Sequence, residues 1–220
     1  MKKLYFFSGL GADRSTFNRL KLYQAFEYVY VDWLIPEKKE SLSSYCTRLI
    51  EKYHIIKGQI YIGLSFGGII ASEIDKQQKA DLIILISSIS QRSEKPPYLK
   101  FVNFFKLNYL IPKKQLTKSN IIIHNKMGAE SELDKKRLNS ILEKSDYLFT
   151  RWAINKMVSW RNNIIPDNII RINGDKDKVF PLKNINSQYI IKGGTHFIVW
   201  NRANELSEII NKYLSQYVSY

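Results

Sequence analysis

The amino-acid sequence predicts an α/β protein: a parallel sheet of about six strands in three layers, with helices on both faces and a helical insertion in the middle of the chain. Three observations lead there. Short apolar runs alternate with amphipathic stretches through most of the 220 residues, the pattern of repeated strand–helix–strand units. Several runs are apolar at every position, as in Leu82-Ile83-Ile84-Leu85-Ile86, which suits strands covered by helices on both sides. The alternation breaks once, between about Ser90 and Asn163, over a distance too long for a simple crossover.

The expected strands are Lys3–Ser8, Tyr28–Trp33, Gln59–Leu64, Asp81–Ser87, Asn168–Asn173 and Gln188–Ile191. The N-terminal lysines and apolar residues superficially match a signal peptide. The run is too short for one and leads directly into a glycine motif, so it reads as a buried strand. A helix is expected from Ser65 to Lys76, with Ile69, Ile70 and Ile74 on its apolar face. Another should run from about Asn201 to Tyr217, with Leu206, Ile210, Tyr213 and Leu214 at helical spacing. The one cysteine, Cys46, shares a helical face with Leu42, Leu49 and Tyr53 and reads as core packing.

The break defines the expected domain organisation: a core of residues 1–89 and 164–220, and a helical cap of residues 90–163. Within the cap, Leu138, Ile141, Leu142, Leu148, Trp152 and Met157 follow a helical period. Its aromatic residues, among them Tyr98, Phe101, Phe104, Phe105, Tyr109, Phe149 and Trp160, fit either a small subdomain core or the wall of an acyl-sized pocket.

Composition narrows the function classes. Lys and Arg number 34 against 20 Asp and Glu, a formal net charge of +14, which would suit nucleic acid or an anionic membrane surface. The basic groups, such as Lys38-Lys39, Lys113-Lys114 and Lys135-Lys136-Arg137, are dispersed and form no stripe with interleaved aromatics. No nucleic-acid partner is expected, and no run approaches the length of a membrane span. A single cysteine excludes an intramolecular disulfide and fits a reducing, cytoplasmic location.

Four motifs carry the chemistry. Gly63-Leu64-Ser65-Phe66-Gly67-Gly68 closes one predicted strand and opens a helix. A serine raised on so tight a turn leaves no room for side chains two residues before and after it, hence the glycines. Its hydroxyl needs an adjacent base before it can attack an acyl carbon. Of the three histidines, His196 in Gly193-Gly194-Thr195-His196-Phe197 lies on a loop after the last strand and is the expected base. His54 belongs to a helix end and His124 to the cap.

A carboxylate must orient that imidazole. Asp175 and Asp177, in Asn173-Gly174-Asp175-Lys176-Asp177-Lys178-Val179-Phe180-Pro181, both compete for this role. Asp177, just before the Val-Phe-Pro turn, is preferred. Developing negative charge on the substrate needs two N–H donors. Phe66, after the serine, and Leu10, in Ser8-Gly9-Leu10-Gly11, are the candidates. The glycine loop is no dinucleotide fingerprint, because the third glycine position is Arg14.

On these motifs the chain resembles the α/β-hydrolase superfamily, particularly small capped serine carboxylesterases of the pimeloyl-ester esterase kind. The family's His-Gly-x-Gly loop, its G-x-S-x-G-G elbow, its G-D-x-D-x-x-x-P segment and its G-x-H loop are met at Gly9, Gly11, Ser65, Asp177, Pro181 and His196. Two departures stand out. Ser8 replaces the histidine of the first motif, and the first strand corresponds to the family's third, so a trimmed sheet is expected.

The resemblance implies a serine esterase that acts on a small acyl ester without a metal or cofactor. An acyl-thioesterase or acyltransferase working on a carrier-bound acyl group is the alternative within the same chemistry. A non-catalytic binding or sensor protein of the same fold is the alternative outside it.

Overall fold

A computed structural model describes residues 1–106, 108 and 120–218. Tyr109 and the Lys113-Lys114 pair lie outside the described residues. The six expected strands are present, each within two residues of the predicted ends: β1 (Lys3–Phe7), β2 (Glu27–Val31), β3 (Ile60–Leu64), β4 (Leu82–Ile86), β5 (Ile169–Gly174) and β6 (Tyr189–Ile191). They form one sheet in the order β2-β1-β3-β4-β5-β6, and every neighbouring pair is parallel.

Side chains alternate across this sheet and feed two core layers. Tyr5, Phe7, Tyr61, Ile83 and Leu85 point to one face. There they meet α1 (Leu42–Tyr53) and α2 (Phe66–Asp75). Leu4, Phe6, Ile60, Ile62, Leu82, Ile84 and Ile86 point to the other, against α7 (Ile198–Asn201) and α8 (Ala203–Leu214). Both faces being covered explains why β3 and β4 are apolar at nearly every position. Leu42, Cys46 and Leu49 are buried as expected, and burial pushes the Cys46 thiol well above its usual range.

Between β4 and β5 lie α3 (Pro97–Phe104), α4 (Ile121–Met127), α5 (Glu132–Lys144) and α6 (Tyr147–Ser159). The last three start on side-chain caps from Asn120, Ser131 and Asp146, which satisfy amides that a helix end leaves free. The buried apolar residues of this insertion join the two sheet cores rather than form a third. Leu99, Phe149, Ala153, Val158 and Trp160 belong to one layer, and Ala129 and Leu138 to the other.

Buried polar contacts fasten the insertion further. The Trp160 indole N–H donates to Glu73 (2.7 Å). The Lys95 ammonium, 4% exposed, donates to the carbonyls of Val158 (2.7 Å) and Trp160 (2.6 Å). Among the described residues no helix is long and apolar enough to cross a membrane.

Candidate active site

Parallel strands bring all their carboxyl ends to one edge, and ligands of such sheets bind there. Ser65 follows β3 at that edge with φ 52° and ψ −117°, a conformation that costs a non-glycine residue about 1–3 kcal/mol. Neighbouring backbone holds it in place. The Ser65 amide donates to the Ile86 carbonyl (2.9 Å), and its own carbonyl accepts from the Gly68 amide (3.0 Å) and the Ser88 hydroxyl (2.6 Å). A Cβ on Gly63 would stand 2.5 Å from the Gly68 Cα, and one on Gly67 2.1 Å from the Phe7 carbonyl oxygen. Both glycines are therefore steric requirements.

The other two candidate residues arrive from β5 and β6. The loops after these strands touch backbone to backbone, since a Cβ on Gly174 would lie 2.2 Å from the Gly194 oxygen. Lys176 N donates to that same oxygen (2.9 Å). The contact brings Asp177 and His196, both almost fully buried, together: Nδ1 lies 2.8 Å from Asp177 Oδ2. Nε2 of the same ring lies 2.9 Å from Ser65 Oγ. The second carboxylate oxygen of Asp177 accepts from the amides of Val179 (2.7 Å) and Phe180 (2.9 Å), leaving Oδ2 aimed at the imidazole. Asp175 turns the other way and accepts from the Gly193 amide (2.7 Å), so it shapes the histidine loop without reaching the ring.

Leu10 and Phe66 flank Ser65 in the same cavity wall. Among the described residues, neither backbone N–H has an acceptor. The loop carrying Leu10 is anchored by groups the sequence did not single out for that task. Ser8, 2% exposed, donates its hydroxyl to the Ala12 carbonyl (2.6 Å). The Trp33 indole donates to the Gly9 carbonyl (3.2 Å). Trp33 follows β2, whose carboxyl end lies beside that of β1; this adjacency, together with the hydroxyl of Ser8, was the available signal.

The cavity above Ser65 has a volume of about 220 Å³. From the core it is walled by Leu64, Phe66, Phe197 and Trp200, and from the insertion by Ile123, Met127, Leu138, Ile141, Leu142, Ile154 and Met157. Of the two readings of the insertion's aromatic residues, a core of their own or the wall of a pocket, the structure follows neither. Phe149, Trp152 and Trp160 pack into the sheet core, while Phe101, Phe104 and Phe105 face outward. Aliphatic and methionine side chains do the lining instead.

The two remaining histidines stand elsewhere. His54 is the left-handed cap of α1 (φ 50°). His124 holds Asn139 through Nε2 (2.8 Å) and lines a separate cleft behind α4. Among the described residues, no three His, Cys, Asp or Glu side chains gather as a metal site would require.

No protein-family model matches the chain, and no curated protein does. Solved structures do match over nearly its whole length. A carboxylesterase of the thaumarchaeon Nitrososphaera gargenis superposes with a TM-score of 0.70 at 18% identity, covering 97% of this chain and 90% of the other. A meta-cleavage product hydrolase from Pseudomonas fluorescens gives 0.71 at 14% identity, covering 98% and 91%. A bromoperoxidase from Bacillus anthracis gives 0.63 at 15%, covering 98% and 92%.

This chain has the α/β-hydrolase fold. The turn at Ser65 lies between β3 and α2, and Ser65, Asp177 and His196 follow β3, β5 and β6 in that chain order.

Proposed function

We propose that the protein is a serine hydrolase that cleaves a carboxylic ester or related acyl bond through an acyl-enzyme intermediate. One observation carries the reading: the unbroken line of hydrogen bonds from Ser65 through His196 to Asp177. In this scheme Ser65 Oγ attacks the acyl carbon while His196 Nε2 takes its proton. Asp177 keeps the other ring nitrogen protonated and stabilises the imidazolium. The carbonyl oxygen becomes an oxyanion held by the amides of Leu10 and Phe66, at the N-terminus of α2. Collapse expels the leaving group, which takes the proton from His196. Water then attacks the acyl-enzyme by the same route in reverse, releasing the acid and restoring Ser65.

The insertion acts in this reading as a cap, and its aliphatic wall favours an apolar acyl group. The decisive experiment is mass spectrometry of the intact protein after treatment with a fluorophosphonate. A single adduct is expected on the wild type and none on Ser65→Ala. An unlabelled wild type would overturn the reading in favour of a non-catalytic binding protein. Matched acyl-ester and acyl-thioester substrates, compared by kcat/KM, then separate an esterase from a thioesterase.

A further inference from the structure

α3 carries a face that the fold leaves uncovered. Phe101, Phe104 and Phe105 are 57%, 78% and 54% exposed. They share one side of the helix end, and their rings touch: centroids lie 4.6 Å apart for Phe101 and Phe105 and 4.9 Å apart for Phe104 and Phe105. Beside α3 stands α4, joined to it where the Lys126 ammonium sits 3.7 Å above the Tyr98 ring. α4 opens with Ile121 and Ile122, 64% and 73% exposed. Single exposed apolar residues are ordinary, but five large ones on two adjoining helices mark an interaction surface.

Charge identifies what it meets. Between Glu94 and Glu130 the sequence holds neither aspartate nor glutamate, and of the lysines there Lys95 is buried and contributes nothing to the surface. The basic residues that look dispersed along the whole sequence are thus unopposed in this one stretch. Lys100 and Lys106, both exposed, flank the phenylalanines on α3. A bilayer rich in anionic headgroups accommodates both groups, with rings at the acyl boundary and ammonium groups at the phosphates.

We propose that the exposed face of α3 and the first residues of α4 dock the protein on the surface of an anionic lipid bilayer. Docking in this orientation sets α4 between lipid and cavity, because Ile123 and Met127 of the same helix line the cavity wall. The proposal does not depend on the catalytic reading.

Sedimentation of the full chain with extruded vesicles tests it. Phosphatidylcholine vesicles containing roughly a third phosphatidylglycerol should carry the protein down, and added salt should weaken that binding. Pure phosphatidylcholine vesicles should leave it largely in the supernatant. The triple variant Phe101→Ser, Phe104→Ser, Phe105→Ser should lose partitioning by on the order of a hundredfold while its thermal melt stays close to wild type. Three outcomes would overturn the proposal: no binding to anionic vesicles, equal binding by the well-folded triple variant, or a solution dimer that this variant dissolves. The last would make the surface an interface between copies of the chain.

Discussion

The loops at the carboxyl ends of the strands and the helices of the insertion wall the same cavity, yet they are constrained in opposite ways. Around Ser65 and His196 the packing is backbone against backbone: Gly67 against Phe7, Gly63 against Gly68, Gly174 against Gly194. No side chain larger than hydrogen fits at these contacts, so position is fixed to a fraction of an ångström. The insertion meets the cavity through ends of aliphatic side chains, Ile123, Leu138, Ile141 and Leu142 among them, which exchange for one another at modest cost. In the proposed mechanism, reactivity rests on the part that tolerates no change, and selectivity on the part that does.

The sharpest way to break this contrast is at its centre. Ser65→Ala should lower kcat by at least about four orders of magnitude and leave the denaturation midpoint close to wild type, since it removes one hydroxyl and keeps the backbone contacts that hold the turn. Ester turnover within tenfold of wild type would remove the serine from the mechanism. Gly67→Ala comes next. Its Cβ would stand 2.1 Å from the Phe7 oxygen and 2.4 Å from the Ser8 oxygen, and backbone cannot move aside as a side chain can. A loss of at least about 3 kcal/mol in stability is expected, measured by urea denaturation, with activity lost in step.

Legibility in the sequence followed the same division. The six strands were readable because burial on both faces leaves continuous apolar runs. That the loops carrying Ser65, Asp177 and His196 meet at one edge was readable because those loops need glycines at fixed spacing. What stayed hidden depends mostly on tertiary neighbours: the Trp33 indole reaches Gly9 from the segment after β2, while the tie from the Ser8 hydroxyl to Ala12, four residues along, is local and was legible only as a hydroxyl in place of the related motif's histidine. In the insertion, helical period located the apolar residues but not which of them face the cavity. Aromatic content suggested a separate small core or the lining, whereas Phe149 and Trp160 entered the sheet core and the phenylalanines of α3 turned outward.

Lys95 sharpens the comparison where the two regions are joined. Its ammonium is buried against the carbonyls of Val158 and Trp160 and, among the described residues, meets no carboxylate; burial, aided by Arg92, Lys100 and Arg161, pulls its pKa down to about 8. Below pH 8 both folded and unfolded chains hold the proton, and the fold bears the cost of the buried charge. Between about pH 8 and the ordinary lysine value of 10.5 the unfolded chain still binds the proton and the folded one does not, so stability rises with pH. The rise should reach roughly 2–3 kcal/mol across the window. Because other groups also titrate there, the quantity to measure is the difference in urea midpoint between wild type and Lys95→Met as pH increases. A difference that stays flat would show that this lysine keeps its proton in the fold.

The smallest expected effect tests the insertion's share of selectivity. Leu142→Trp puts a larger side chain into the aliphatic wall of a cavity of about 220 Å³, beside Ile141, which lines the same cavity. Short acyl esters place little beyond the carbonyl and should be hydrolysed within about threefold of the wild-type rate. Longer acyl chains must occupy the space the indole takes, and their kcat/KM should fall by roughly tenfold to a hundredfold. A p-nitrophenyl ester series of increasing chain length reads both at once. A uniform loss across the series would mean that the insertion positions the catalytic loops as well as the chain, and the separation between reactive and selective regions would then fail.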